Sequence, residues 1–299
     1  MVSPFVAVVD LWVVLFAFVT LVGDAGVLLA GLALLYWFGP RYSERAREIA
    51  AVCIGLAVVG LGVVVAIKTS TAVPRPTSSP VDPTVLPPLI GGFVATEIDS
   101  SGFAFPSGHT VAATVVYGGL AVLLDRGRRR QRYLVAGGII ALVALSRLVL
   151  DVHYPRDVLA GVVVGALIVA TGLWVARDVD RLRPDRLFWL AAVVALAAGW
   201  IALDVGQPRE LTQAAIGFGT AVAGGVGWRQ WGQRLSTAPA VSPLGAAGGL
   251  VGTGGLWGLA YTGGLSTVGT AIASGLAVSW LLLLPLLADR VKKIGVGRR

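Results

Sequence analysis

The chain has 299 residues, of which 56% are hydrophobic and only 13% are charged. This composition excludes an ordinary soluble domain and directs attention to apolar segments of about 20 residues, the length that crosses a bilayer. The net charge of +8 comes mostly from basic clusters between these segments, so we do not expect nucleic acid as a partner.

Nine apolar runs are long enough to form membrane-spanning helices. They lie at residues 24–40, 48–67, 108–124, 133–150, 157–176, 187–204, 210–227, 243–262 and 266–287. A further run at 5–22 is either a first span or a helix at the membrane interface, because only Gly23 and Asp24 separate it from the next run. The runs predict an all-α fold, a polytopic transmembrane helical bundle.

Basic residues mark alternate connections between these spans. Of the 24 Lys and Arg residues, 19 fall in five clusters, at 41–47, 126–132, 177–186, 229–234 and 290–299. The positive-inside rule places these connections in the cytoplasm and the others outside. The five basic residues left on the outer side are Lys68, Arg75, Arg147, Arg156 and Arg209.

Two polar connections divide the chain further. Residues 68–105 contain PRPTSSPVDPTVLPP and predict an irregular extracytoplasmic loop. Glu97 and Asp99 in this loop could gate or repel substrate, and we favour the interpretation that they are plain surface residues. The charged connection at 176–186 separates two helical units, which we take as residues 1–176 and 177–299.

Three polar motifs stand at the outer ends of the predicted spans. KTSTAVPRP contains Lys68, Arg75 and Pro76, FPSGHT contains Pro106, Ser107, Gly108 and His109, and SRLVLDVHYPRD contains Ser146, Arg147, His153 and Asp157. On the predicted topology all three emerge on one side of the membrane, at neighbouring helix ends. Asp151 and Arg156 lie at variable positions within the third motif, and we leave open whether they take part in the site or are merely solvated loop charges or membrane-interface anchors.

These residue types suit phosphoryl transfer. A transferring phosphoryl group spreads negative charge over three oxygens, and Lys68, Arg75 and Arg147 can stabilise that charge. Ser107 and Gly108 add backbone N–H groups at the start of a helix, where the helix dipole favours an anion.

The two histidines of the chain, His109 and His153, can supply a nucleophile and a proton donor. Asp157 follows His153 by about one helical turn and can hold one ring nitrogen, which leaves the other to attack phosphorus. His109 would protonate the leaving oxygen and then activate water. The acidic residues do not form an octahedral set, so we predict no metal and no cofactor.

Lys-x6-Arg-Pro, Pro-Ser-Gly-His and Ser-Arg-x5-His-x3-Asp, in this order, resemble the signature motifs of the type 2 phosphatidic acid phosphatase superfamily, which includes the vanadium haloperoxidases. The resemblance implies that His153 forms a phosphohistidine, supported by Asp157, with His109 as acid and base. It also implies a phosphate site made by Lys68, Arg75, Ser107, Gly108 and Arg147, with Pro76, Pro106 and Ser146 as supporting motif positions.

The resemblance further implies a six-helix phosphatase core, which fits residues 1–176 if the run at 5–22 is one of the six helices. About four additional transmembrane helices in residues 177–299 have no recognised counterpart in the family.

We therefore predict a metal-independent membrane phosphatase that acts on a lipid-linked phosphomonoester or pyrophosphate at the extracytoplasmic face of the cell membrane. Phosphatidic acid, phosphatidylglycerol phosphate and polyprenyl pyrophosphate are the candidate substrates, and the sequence does not choose among them. The alternatives are a lipid phosphotransferase that uses the same site, and a transporter or scaffold whose function lies in the C-terminal helices. The expected partners are the lipid substrate and membrane lipids, and the oligomeric state is left open.

Overall fold

The protein is a bundle of α-helices. The computed structural model describes residues 4–77, 80–99, 101–179, 181–262 and 264–296, with side chains described between residues 11 and 289 of these ranges. The helices are α1 (Pro4–Thr20), α2 (Ala25–Phe38), α3 (Ala46–Thr71), α4 (Pro88–Glu97), α5 (Gly108–Leu123), α6 (Arg129–Val149), α7 (Pro155–Ala176), α8 (Pro184–Val205), α9 (Pro208–Thr237), α10 (Pro243–Tyr261) and α11 (Thr267–Val296). Within the described ranges no β-strand forms, which confirms the predicted all-α fold.

Helices cover every predicted apolar run, and five of them are long and apolar enough to cross a membrane by themselves. These five are α3, α6, α7, α8 and the part of α11 up to Asp289. The pair α1 and α2, bent by 47°, passes the same test jointly, as a broken span or a re-entrant loop. The described part of the chain is therefore a polytopic helical membrane protein with up to six spans by this test.

The other three predicted spans correspond to helices that do not pass the test of length and composition. α5 has only 16 residues, α9 contains several charged and amide side chains, and α10 is rich in glycine. Each nevertheless packs along a candidate span: α5 along α3 and α7, α9 along α8, and α10 along α11. The predicted total of nine spans therefore depends on these three helices.

α1 packs against the connection between α3 and α5. Buried Val13 and Ala17 of α1 form a cluster with Val94 of α4 and with Leu150 and Val152 of the turn between α6 and α7. This packing places α1 over the end of the bundle at which α3 and α6 end, the end that contains all three polar motifs.

α3 lies at the centre of the bundle, because glycines along it allow α8 to approach closely. A Cβ atom at Gly55 would lie 2.9 Å from Leu187 Cβ, and one at Gly62 would lie 2.9 Å from Val194 Cγ1. One hydrophobic cluster contains residues of α2 and α3 together with residues of α8, α9 and α11. The C-terminal helices thus share a core with the N-terminal ones, and the division at residue 176 stays a prediction.

Arg47 links α3 to the C-terminal end of α9. Its fully buried guanidinium donates hydrogen bonds to the carbonyl oxygens of Tyr36, Leu235, Ala238 and Pro239, at 2.6–3.1 Å. The last carbonyl groups of a helix have no partner within that helix, so a buried cation there stabilises both elements.

Apolar side chains are exposed on the outer faces of the long helices. On α7, Leu159, Val163 and Leu167 follow one another at intervals of one turn and are 67%, 58% and 62% exposed. A continuous apolar face of this kind would be costly in water and is favourable against lipid. The exposed faces therefore agree with the helices crossing a membrane.

Candidate active site

Four helix termini meet at one end of the bundle, which we call the site end. α3 and α6 end there, and α5 and α7 begin there. Lys68 lies in the last turn of α3, Arg147 in the last turn of α6, and His109 in the first turn of α5. His109 interacts electrostatically with Arg147, His153 and Lys68. The three sequence motifs therefore come together in space.

Glycines of α7 bring the third motif against the second. A Cβ atom at Gly161 would lie 2.9 Å from Thr110 Cβ and 3.0 Å from the carbonyl oxygen of Ser107. At Gly165 the nearest atom of α5 would be only 2.6 Å away. This close approach lets the backbone N–H of Ser107 donate a 3.0 Å hydrogen bond to the carbonyl oxygen of Asp157. The positions of the two motifs are thus fixed by helix packing.

His153 and Asp157 form a buried pair at the start of α7. His153 Nδ1 lies 3.6 Å from Asp157 Oδ2, and the two side chains are 1% and 0% exposed. The same Oδ2 accepts a 2.9 Å hydrogen bond from the backbone N–H of Tyr154, which fixes the carboxylate at the helix start. Burial lowers the pKa of His153 to about 4, against the opposing effect of Asp157 and with further lowering by Arg75. The imidazole is therefore neutral at pH 7, as a nucleophile must be.

Arg147 is held from two sides at the site end. Its Nη1 donates a 2.8 Å hydrogen bond to Thr20 Oγ1 of α1 and lies 3.5 Å from Glu97 Oε2 of α4. The side chains of Arg147 and Glu97 are only 3% and 13% exposed. Burial raises the pKa of Glu97, and attraction by Arg147 opposes that rise. The interpretation of Glu97 as a plain surface residue was wrong, because Arg147 draws this carboxylate into the site.

Arg75 reaches the site from the loop after α3. Its Nη1 donates a 2.8 Å hydrogen bond to the main-chain carbonyl oxygen of Asp99. The Asp99 side chain itself is exposed and accepts hydrogen bonds from Ser101, which lower the pKa of the carboxyl. Burial lowers the pKa of Arg75, and repulsion by Arg209 lowers it further. Lys68 interacts electrostatically with Arg75, so the two cations share one environment.

The start of α5 presents backbone donors to the same space. Ser107 is the N-cap, with extended backbone, and makes no side-chain capping bond. Its hydroxyl accepts a 3.0 Å hydrogen bond from Thr110 Oγ1 instead. Because the N–H of Ser107 is already bonded to Asp157, it is not available to a ligand, contrary to expectation. The N–H groups of Gly108 and His109 remain, since the first N–H groups of a helix have no partner within it.

The remaining motif residues lie around the site and either support it from buried positions or lie at its periphery. Pro76, Pro106 and Ser146 are buried, and Ser146 Oγ donates a 2.7 Å hydrogen bond to a carbonyl oxygen one turn earlier. Arg156 Nε lies 3.7 Å from Asp157 Oδ1, although the Arg156 side chain is 68% exposed. Arg156 is thus a solvent-exposed charge that lies next to the carboxylate of the site.

Thr20 and Glu97 are site residues that the motifs did not indicate. Thr20 is a lone hydroxyl at the end of an apolar run, and no local pattern distinguishes it from a packing residue. The sequence indicated a role in the site for Glu97 only weakly, because it is one of few acidic residues on the predicted outer side. Both reach the site because α1 and α4 pack against the turn between α6 and α7.

The site is suited to bind a phosphate-like anion. Within the described part of the chain, Arg75 Nε and Arg147 Nε are buried donors without a hydrogen-bond partner. Guanidinium groups and helix N-termini both favour anionic oxygens, and a buried donor left unpaired is costly. Among the described residues, no three His, Cys, Asp or Glu side chains are arranged to hold a metal ion.

Comparison with protein families gives a match to the family model of the PAP2 superfamily over residues 48–181. This range contains all three motifs and excludes α1, α2 and the helices from α8 onward. No solved structure matches the chain.

Two curated relatives have similar sequences. The chain is 38% identical over 77 residues to phosphatidylglycerophosphatase B of Bacillus subtilis (strain 168), a match that covers 24% of this chain and 38% of that protein. It is 37% identical over 84 residues to phosphatidylglycerophosphatase B of Escherichia coli (strain K12), covering 26% of this chain and 31% of that protein. The matches thus span well under half of the length of either relative.

Proposed function

We propose that the protein is a membrane phosphatase of the PAP2 superfamily that acts on a lipid-linked phosphate, because residues 48–181 match the model of that family. The similarity to two proteins named phosphatidylglycerophosphatase B supports an enzyme that removes phosphate from a lipid. The three motifs that the family match contains are the ones that meet at the site end.

The observation that carries this proposal is the convergence of Lys68, Arg75 and Arg147 on the pair of His153 and Asp157. These three cations repel one another, since Arg75 and Arg147 both act electrostatically on Lys68. A bound phosphate dianion would relieve that repulsion and satisfy the unpaired Nε donors of both arginines. Phosphoryl transfer needs this kind of positioning and charge stabilisation.

In the proposed reaction, His153 is the nucleophile. Asp157 faces Nδ1, so Nε2 attacks phosphorus, and the bond between phosphorus and the ester oxygen breaks. His109 donates a proton to the departing oxygen, and the lipid leaves as an alcohol. The phosphoryl group remains on His153 as a phosphohistidine, with its oxygens held by the three cations.

Water completes the cycle. His109, now deprotonated, accepts a proton from a water molecule, and the resulting hydroxide attacks the phosphohistidine. The bond between phosphorus and nitrogen breaks, inorganic phosphate forms and His153 is regenerated as a neutral imidazole. Its lowered pKa supports this role, since the ring does not take up a proton at neutral pH.

The substrate is proposed to be a lipid because the site lies at the ends of membrane-length helices. The exposed apolar faces of α6 and α7 begin next to the phosphate site. A lipid could therefore keep its chains in the bilayer while its phosphate enters the site. The extracytoplasmic orientation is supported by the basic connections, which lie at the opposite end of the bundle.

Phosphate release by the full chain in detergent tests the proposal. Phosphatidic acid, phosphatidylglycerol phosphate and polyprenyl pyrophosphate would each be supplied with EDTA present. We expect release from at least one of them, and a loss of about 1,000-fold or more in His153→Ala. Asp204→Asn is a matched control, because Asp204 is an exposed residue at the same end of the bundle.

Each possible result of this experiment supports or contradicts one part of the proposal. Release that is abolished by EDTA would contradict a mechanism without metal, and activity retained in His153→Ala would contradict the phosphohistidine. Adding an alcohol as acceptor distinguishes hydrolysis from phosphotransfer, since a phosphotransferase would form the phosphorylated alcohol in place of inorganic phosphate. No release from any of the three lipids would contradict the proposed function.

A further inference from the structure

The first turn of α9 lies beside the phosphate site, although it is outside the range matched by the family. α9 begins at the site end, where α3 ends, and the two helices run in opposite directions. Ala214 of α9 packs in one cluster with Val65 of α3. One turn further toward the site end, these helices present Glu210 and Lys68 respectively, so the two side chains fall at the same level.

Glu210 is a buried carboxylate that no sequence motif explains. It is only 4% exposed, and its Oε2 has no hydrogen-bond partner among the described residues. Electrostatic attraction links it to Lys68 and to Arg75. A buried carboxylate is costly unless a cation faces it, so its position is explained by the cations of the phosphate site.

Arg209, the neighbour of Glu210, holds the loop that in turn holds Arg75. Arg209 Nη1 donates a 2.7 Å hydrogen bond to Ser101 Oγ, and Ser101 Oγ donates to the Asp99 carboxylate. The main-chain carbonyl oxygen of Asp99 accepts the hydrogen bond from Arg75. A continuous set of hydrogen bonds therefore runs from Arg209 of α9 through Ser101 and Asp99 to Arg75.

We propose that the first turn of α9 is part of the phosphate site, with Glu210 as a positioning residue for Lys68. This inference rests on the proposed function and gives a role to helices beyond the matched range. Lys68 has a flexible stem and three cationic neighbours, so without an anion its ammonium group would be driven away from the site. Glu210 keeps it in place until phosphate arrives. Arg209 acts in parallel by fixing the loop.

A double-mutant cycle between Glu210 and Lys68 tests this proposal. Glu210→Gln alone should lower kcat/KM for the lipid substrate by about 10- to 100-fold, the range expected when one partner of a charged contact is removed. It should weaken competitive inhibition by inorganic phosphate in parallel. In a Lys68→Met background the same substitution should change either quantity by less than about twofold, because the group through which Glu210 acts is gone.

Two controls separate positioning from a merely structural role. Glu210→Asp retains the charge and should recover part of the lost activity, whereas Asp204→Asn, an exposed carboxylate nearby, should behave as wild type. The thermal unfolding midpoint of each variant in detergent reports whether the fold survives. Additive effects of the two substitutions, or activity losses that follow the midpoint and not the charge, would overturn the role of Glu210.

Binding of inorganic phosphate, measured by calorimetry, keeps this inference separate from the proposed function. If the wild type binds phosphate and releases it from no lipid, only the proposed reaction fails, and the same cycle is measured on phosphate affinity. If phosphate binds and the cycle is additive, only the role of Glu210 fails. If the wild type does not bind phosphate, both are overturned.

Discussion

At the scale of single residues, burial sets the protonation state of the proposed nucleophile. His153 lies among three cations, and desolvation and repulsion both disfavour a further positive charge on its ring. Asp157 acts in the opposite direction, because a nearby carboxylate favours the imidazolium. Since burial has the larger effect, the ring is neutral over the whole range in which an unperturbed histidine would titrate.

Nuclear magnetic resonance of ¹⁵N-labelled histidine can measure this protonation directly, because the chain has only two histidines. We expect the ring of His153 to remain neutral from pH 8 down to pH 5 and to protonate near pH 4. His109→Gln assigns the signals. A midpoint near pH 6.5 for His153 would contradict the effect of burial.

The substitution Asp157→Asn tests the opposing effect of this carboxylate on the pKa of His153. Asp157 raises the pKa of His153, so removing its charge should move the midpoint below that of the wild type. A higher midpoint in the variant would show that the carboxylate does not stabilise the imidazolium.

Most of the site residues could be predicted from the sequence because each motif is local. Ser146, Arg147, His153 and Asp157 lie within twelve consecutive residues, and their spacing survives any packing of the helices. Thr20 and Glu97 could not be predicted in this way, since they reach Arg147 from elements far away in the chain. Their contribution depends on tertiary packing, for which the sequence offers no local sign.

At the scale of elements, the glycines of α7 decide how closely two halves of the site approach. Gly161 and Gly165 face α5 at one-turn spacing, the arrangement that lets membrane helices pack backbone to backbone. The hydrogen bond between Ser107 and Asp157 forms only at this short separation. The geometry of the site thus depends on the lack of a side chain at Gly161 and Gly165.

Gly161→Val should therefore impair catalysis without unfolding the bundle. The added atoms would meet Thr110 and the carbonyl oxygen of Ser107, and α7 would move away from α5. A displacement of about 1 Å can cost about 100-fold in rate, and we expect a loss of this size in kcat/KM. Steady-state kinetics and circular dichroism in detergent measure the two properties.

Gly137→Val is the control for helix propensity, because an added Cβ at Gly137 of α6 meets no atom within 4 Å. It should lower kcat/KM by less than about twofold. Equal losses in both variants would show that glycine matters for the helices themselves and not for the contact between α5 and α7.

The positions of the helices could be predicted from hydropathy, but their tertiary roles could not. All the apolar runs became helices, because length and composition decide that locally. The run at 5–22 could not be assigned, since its place is decided by packing of Val13 and Ala17 on a distant turn. α4 was also unforeseen within a loop rich in proline, although Pro88 at its first position is a common helix start.

At the scale of the whole molecule, α9 connects the two ends of the bundle. In its first turn Arg209 donates a hydrogen bond to Ser101 at the site end, and its last turn accepts hydrogen bonds from Arg47 of α3. These contacts at both ends, together with the shared hydrophobic core, make α9 an integral part of the bundle that contains the site. Loss of the C-terminal helices would therefore be expected to disturb the site itself.

The orientation of the bundle can be tested with two surface positions at opposite ends. Leu89 in α4 is 91% exposed at the site end, and Val179, between α7 and α8, is 94% exposed at the other end. Cys53 is the single cysteine of the chain, so Cys53→Ala provides a background without thiols. Basic residues concentrate in the connection that contains Val179, which should hold that end in the cytoplasm.

In spheroplasts of the expression host, a membrane-impermeant maleimide should label Leu89→Cys and should not label Val179→Cys until the membrane is opened. The reverse pattern would place the phosphate site in the cytoplasm. Such a result would overturn the extracytoplasmic location, because the charge of the loops decides the orientation. It would leave the proposed reaction intact, since the reaction depends on the glycine and hydrogen-bond contacts within the site.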